Sequence, residues 1–227
     1  MTKGPTPRQL ARAENIDRIK ALALDQLATS AAGELSLRAI ARQLNLVSSA
    51  LYRYFPSRDD LITALIVDAY TDLAETLEAA GAADRRGPRR RWVETCAALR
   101  TWAVAAPHRF ALIYGSAIPG YAAPPDTIEP AGRVVRALFS AALEGVAPDP
   151  VTGRPLPRGA LGPQLDASAE GLGLDVDRRS MLALTAAFAR LIGLLTLELN
   201  GHFVGGFDPA DALYAALVEQ EADALGL

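Results

Sequence analysis

The stretch Ser48-Ser49-Ala50-Leu51-Tyr52-Arg53-Tyr54 gathers two hydroxyls, two phenols and a guanidinium within seven residues, small side chains first. Such a set suits a helix whose N-terminal end enters a major groove. Ser49 and Ala50 permit close approach. Arg53 can reach a guanine edge or a phosphate. Tyr52 and Tyr54 can donate to phosphates, which position a protein on a duplex without reading its sequence. Catalytic chemistry has no comparable cluster. The chain shows no nucleophile–base pair, no carboxylates at a working spacing and no glycine loop that would cradle phosphate. The glycine runs at 171–173 and 201–206 have no strand before them. His108 and His202 lack a ligand-spaced partner and read as structural. The single cysteine, Cys96, excludes an intrachain disulfide and a multi-cysteine metal site. The expectation is no enzyme, no catalytic residue, no metal and no cofactor.

The neighbouring residues predict how that stretch is held. Leu37, Ile40, Ala41 and Leu44 share one face of a short helix, which Ser36 can cap. Asn45 follows and tolerates the left-handed backbone of a tight stop. Leu46 returns to the core, and Ser48 and Ser49 open a second helix with Leu51 and Phe55 inward. Pro56 ends it. Ser57-Arg58-Asp59-Asp60 reads as a capping box, with Asp60 reaching back to the Ser57 amide. It opens a long helix carrying Leu61, Leu65, Ala69, Leu73 and Leu77. Upstream, Ile16, Ile19, Leu22, Ala23 and Leu27 form the stripe of a first helix ending near Gly33. Residues 1–10 read as a mobile tail, the alternative being a basic arm through Lys3 and Arg8.

The motifs Leu37-Arg38-x-Ile40-Ala41, Leu51-Tyr52-x-Tyr54-Phe55 and Ser57-Arg58-Asp59-Asp60-Leu61, at these intervals, resemble the DNA-binding head of the TetR family of bacterial transcriptional regulators. The resemblance covers about residues 12 to 75. It departs at the turn, with Asn45 in place of the usual glycine. It departs again at the second cap, where Val47 replaces Ser or Thr and Ser48 would have to supply the hydroxyl. The resemblance implies an all-α protein. A three-helix head, residues 1–56, is joined by a long helix to a ligand-sensing and dimerisation body, residues 57–227. It implies Ser36, Arg38, Ser48, Ser49, Ala50, Tyr52, Arg53, Tyr54 and Arg58 as DNA-facing positions, Arg58 through phosphate.

In the body, Trp92 to Ala106 reads as a helix closed by Pro107, and Val134 to Leu143 as another. The run from Ala147 to Gly173, rich in Pro and Gly, predicts a long flexible loop. Five arginines between residues 85 and 91 read as a solvated loop and helix opening. Asp177 to Gly201 predicts an apolar helix covered on nearly every side. Asp208-Pro209 reads as cap and first-turn proline of the last helix. By the family resemblance the last two helices pair with those of a second copy in a homodimer. Two heads would then meet a palindromic operator about 34–36 Å apart or a multiple. The resemblance also implies a small-molecule pocket, for which Trp102, Phe110, Tyr114, Tyr121, Phe139 and Phe188 are the candidates. Each is equally the kind of residue that fills a core.

Composition agrees without deciding. Net charge is −3 over 227 residues, with nine cations against six acids in residues 1–60, so the rest carries −6. A basic head on an acidic body fits a polyanion at one end. Met181 to Leu199 contains Arg190 and Glu198, where a spanning helix needs about 20 largely uncharged residues. With a polar N-terminus, this predicts a soluble cytoplasmic protein without a membrane partner. The expected function is a sequence-specific DNA-binding regulator, a repressor released by a small molecule. An activator of the same fold, a helical enzyme and a protein-interaction module are the alternatives.

Overall fold

Thr6 and Gln9 start the first helix, α1 (Pro7–Thr29). The Gln9 amide approaches Thr6 Oγ1 at 3.4 Å, and the Thr6 amide donates to Gln9 Oε1 at 2.8 Å. This is a reciprocal capping box with proline at the first helical position. The helix therefore takes in residues 7–10, which the sequence reading assigned to a tail. The computed structural model describes residues 6–29, 35–83, 87–143 and 159–227, and the fold of those residues is all-α. Lys3, Gly33, Arg85 and Arg86 lie outside the described residues.

The chain forms two compact units. The first runs to Ala69 and takes up Pro107–Thr127 again. It holds α1, α2 (Leu37–Gln43), α3 (Ser48–Leu51), the start of α4 (Arg58–Ala83) and α6 (Pro107–Tyr114). Ile19, Ala23, Ile40, Leu51, Leu61, Ile62 and Leu65 form its core. Helix α6 packs on α1, and the Tyr121 and Thr63 hydroxyls meet at 2.9 Å. The sequence divides the chain at residue 56. The compact units instead place 107–127 with the residues before Ala69.

The second unit comprises Tyr70–Ala106 and Ile128–Leu227. It holds the rest of α4, α5 (Pro88–Ala105), α7 (Ile128–Leu143), α8 (Leu161–Leu172), α9 (Arg178–Leu199) and α10 (Asp211–Leu225). Helix α5 is central, touching α7, α9 and α10. Its Trp92 ring N–H donates to the Val218 carbonyl at 3.2 Å, and Tyr214 Oη donates to the Cys96 carbonyl at 2.8 Å. Cys96 is fully buried, and burial pushes its thiol well above the ordinary range, as fits a packed apolar side chain.

Two sequence expectations are overturned here. Residues 161–172, expected in a flexible loop, form α8. Leu165 and Ala169 bury against neighbouring helices, Pro163 falls in the first turn, and Gly173 at φ 65° closes the helix with Leu174 N–H donating to Ala169 O at 2.9 Å. The other part of that run, 147–158, lies outside the described residues. Helix α10 starts at Asp211 rather than at Pro209 behind an Asp208 cap; Ala210 is its buried cap residue, and Arg100 holds Asp211 at 2.9 Å. Helix α9, for which a second copy is expected to supply part of the cover, is covered on one side within the single chain. Met181, Leu184, Ala187, Leu191 and Leu195 are buried, while Leu182 and Leu197 stay 40 % and 44 % exposed. Its stripe at three- and four-residue spacing can meet α5, α8 and α10 on a single face. Length and composition alone would let this helix cross a membrane, but Arg190 near its middle pairs with Glu221 of α10 at 2.9 Å.

Candidate nucleic-acid interface

The helix–turn–helix is built as its residues predict, with two differences. Ser36 Oγ accepts the Ala39 amide at 3.3 Å and caps α2. Asn45 takes φ 54°, and the Leu46 amide then bonds the Ala41 carbonyl at 2.9 Å. That six-to-one bond is the closure a left-handed residue makes possible. The first difference is at α3. Val47 holds the cap position without a side-chain bond, and Ser48 is the first helical residue, so its hydroxyl does not act as the cap residue. The second is length. Regular helix ends at Leu51, and the Tyr54 and Phe55 amides return to the Leu51 carbonyl at 2.8 and 3.1 Å. Tyr52, Arg53 and Tyr54 therefore sit in a tight turn closed by buried Phe55.

Below this turn Ser57 caps α4. Its Oγ accepts the Asp60 amide at 3.1 Å and donates to Asp60 Oδ2 at 2.7 Å. The Asp60 carboxylate thus takes the Ser57 hydroxyl, where the sequence predicted the Ser57 amide. Arg58 opens the helix half-buried, with Nη1 3.5 Å from Asp59 Oδ1.

Ser36, Arg38, Ser48, Ser49, Tyr52 and Arg53 are exposed, and Ala50 is half-buried. Tyr54 is turned toward α1. Asn15 Nδ2 donates to its hydroxyl at 3.2 Å, and the Arg12 guanidinium lies 5.2 Å from its ring centre. The phenol proton stays available to a phosphate while the ring is held. Sequence reasoning passed over Arg12 and Asn15, because nothing local marks them. Val47, which the sequence marks only as a departure at the second cap, is 71 % exposed beside Ser48.

The six aromatic residues are shared between the units. Phe110 and Tyr114 form a tilted pair at 5.3 Å in the first unit, which also holds Tyr121. Phe139 and Phe188 meet edge-on at 6.4 Å in the second, where Trp102 donates its ring N–H to Asp72 at 2.6 Å. Trp102, Phe110 and Phe139 are buried. His108, beside Arg109 and half-buried, has its pKa lowered chiefly by burial and stays neutral at pH 7.

Residues 19–65 match the model of the bacterial regulatory proteins of the tetR family, and residues 92–220 match that of the tetracyclin repressor-like C-terminal domain. The chain belongs to the TetR family. Its TetR relatives include the HTH-type transcriptional regulator Rv1816 of Mycobacterium tuberculosis, 39% identical over 86% of this chain and 85% of that protein. The regulatory protein SCO4313 has the same fold, with a TM-score of 0.78 and 37% identity over 98% of this chain and all of its own. A protein of unknown function from Rhodococcus sp. RHA1, 22% identical over 93% of this chain and 95% of its own, shares the fold at a TM-score of 0.68. As a TetR-family member the chain is a DNA-binding transcriptional regulator.

Proposed function

We propose that the chain acts as a homodimeric repressor that binds a palindromic operator through two copies of the Ser36–Arg58 segment and leaves it when a small molecule binds the body. The observation that carries the reading is the outward set Ser48, Ser49, Tyr52 and Arg53 on a turn pinned by Leu51 and Phe55. In this reading Ser49, Ala50 and Arg53 meet base edges, and Val47 lies against a thymine methyl. Ser36, Arg38, Ser48, Tyr52, Tyr54 and Arg58 hold phosphates. The exposed Leu182 and Leu197 of α9 support pairing with a second copy, since a one-sided apolar remainder is what a two-fold contact covers. Trp102, Phe139 and Phe188 are the proposed effector lining in the second unit, with Phe110, Tyr114 and Tyr121 as candidates in the first. The effector can move the equilibrium only by its differential affinity for the bound and released conformations. No step of this function requires a reaction, and a bacterial regulator of this kind works in the cytoplasm.

A reporter gene with the selected operator placed over its promoter tests the direction. Expression that falls when the protein is supplied supports repression. Expression that rises favours an activator of the same fold.

A further inference from the structure

The inward face of α1 changes character along its length. From Ile19 onward it is apolar, with Ile19, Ala23 and Leu27 buried in the core of the first unit. Nearer the N-terminus the same face carries Asn15, Arg12 and Arg8, spaced three and four residues apart so that they share one side of the helix. The acids closest in sequence, Glu14 and Asp17, fall on other sides at about 3.6 residues per turn. Polar residues in line with a core stripe mark where a helix runs past the body it packs on. That point lies at Tyr54. Asn15 Nδ2 donates to its hydroxyl at 3.2 Å, and the Arg12 guanidinium stands 5.2 Å from its ring centre. Attraction to a ring face holds a guanidinium without cancelling its charge. Arg8 and Arg12 are exposed, and no carboxylate among the described residues pairs with either. Lys20, further along α1, is by contrast bound to Asp68 at 2.7 Å. The Thr6–Gln9 capping box makes residues 7–10 helical, so Arg8 is fixed on α1 instead of being carried on an arm.

We infer that α1 is part of the DNA interface, with Arg12 holding the same backbone phosphate as the Tyr54 hydroxyl and Arg8, one turn nearer the N-terminus, holding a neighbouring one. The inference rests on the proposed reading of the Ser36–Arg58 segment and adds a second element to it. A phenol O–H and a guanidinium N–H can donate to different oxygens of one phosphate, and the guanidinium adds the charge that the phenol lacks. Contacts of this kind set the register of a protein on a duplex and read no bases.

Titration of the full chain against the duplex it selects from a random library, and against a mixed-sequence duplex, over a series of salt concentrations tests this. Arg12→Gln and Arg8→Gln should each weaken binding to both duplexes alike and make the logarithmic salt dependence shallower by about one. Arg12→Lys should keep the slope of the parent. Arg18→Gln, which removes an exposed charge from another side of α1, should keep it too, and so separates a contact from a general effect of net charge. Tyr54→Phe should weaken binding at an unchanged slope, since a neutral donor displaces no counterion. Arg8 has no side-chain partner among the described residues, so Arg8→Gln decides the matter if Arg12→Gln disturbs the fold. Unchanged slopes in folded Arg12→Gln and Arg8→Gln, or an equal loss in Arg18→Gln, overturn the inference and leave the reading of the Ser36–Arg58 segment standing. A parent that binds neither duplex overturns both.

Discussion

Asn15 donates its side-chain amide to the hydroxyl of Tyr54 at 3.2 Å, tying α1 to the turn that follows α3 across 39 residues of sequence. The same amide donates to the Ala11 carbonyl at 2.9 Å, so its direction is set by its own helix. A phenol held this way can meet a phosphate in one orientation only. Tyr54→Phe should lower stability by about 0.5–1.5 kcal/mol, the usual net worth of such a bond. It should weaken binding to every duplex alike. Melting curves and titrations against two unrelated sequences check both parts, and an altered base preference would contradict a positioning role.

On the proposed interface, Arg53 reads bases and Arg58 holds phosphate. Replacing Arg53 or Ser49 with alanine should change the preferred base at one operator position by about 1–3 kcal/mol. Replacing Arg58 with alanine should leave preference intact and make the logarithmic salt dependence shallower by about one. Binding selections at fixed salt, followed by salt titrations, distinguish the two behaviours.

Within the second unit, Arg100 grips Glu198 through Nε at 3.0 Å and Nη2 at 2.6 Å and reaches Asp211 at 2.9 Å. Arg100 and Glu198 are both largely buried, at 18 % and 15 % side-chain exposure. The two carboxylates hold the guanidinium pKa well above its ordinary value, Glu198 most strongly. Arg100→Met strands Glu198 and should cost about 3 kcal/mol. Adding Glu198→Met should recover much of that loss. The urea midpoints of the two variants give the comparison.

His108 predicts an acid-side weakness. Burial and Arg109 lower its folded pKa below the ordinary 6.5, against a smaller opposing pull from Asp25. The unfolded chain therefore takes up a proton first, so this contribution is full above about pH 6.5 and is lost as pH falls through that value toward the folded pKa. His108→Gln should flatten the melting temperature between pH 7.5 and 5.5. A slope equal to that of the parent would show that other groups set it.

Leu182→Lys combined with Leu197→Lys tests the pairing surface. Both side chains are exposed in the single chain, so helix content should be retained while sedimentation shifts from twice the chain mass to the chain mass. An unchanged dimer would move the interface elsewhere.

What could be read beforehand depended on how local each cause is. Ser36 and Asn45 announce themselves because a cap or a left-handed stop acts within a few residues. Asp177, read from sequence only as the start of its helix, accepts the Ser180 amide at 2.8 Å. Thr6-Pro7-Arg8-Gln9 carried the same information and was hidden by its place among the prolines and glycine of a tail. Pro163 and Gly173 misled in another way. They bound a helix, at its first turn and its closure, but in sequence they look like interruptions. The Asn15–Tyr54 bond and the one-sided cover of α9 both depend on distant segments. Aromatic residues are ambiguous for a physical reason. Packing a core and lining a pocket both call for flat apolar surface, so Phe139 and Trp102 look alike in sequence whichever they do.

On the proposed function, two identical heads read one operator. Selection of duplexes from a random DNA library by the purified full chain, run at two salt concentrations, tests it most directly. The expected result is enrichment of an inverted repeat, with half-sites one helical turn or a multiple apart and binding that falls steeply as salt rises. Enrichment of a single unrepeated site, or of no sequence by folded protein, would contradict it.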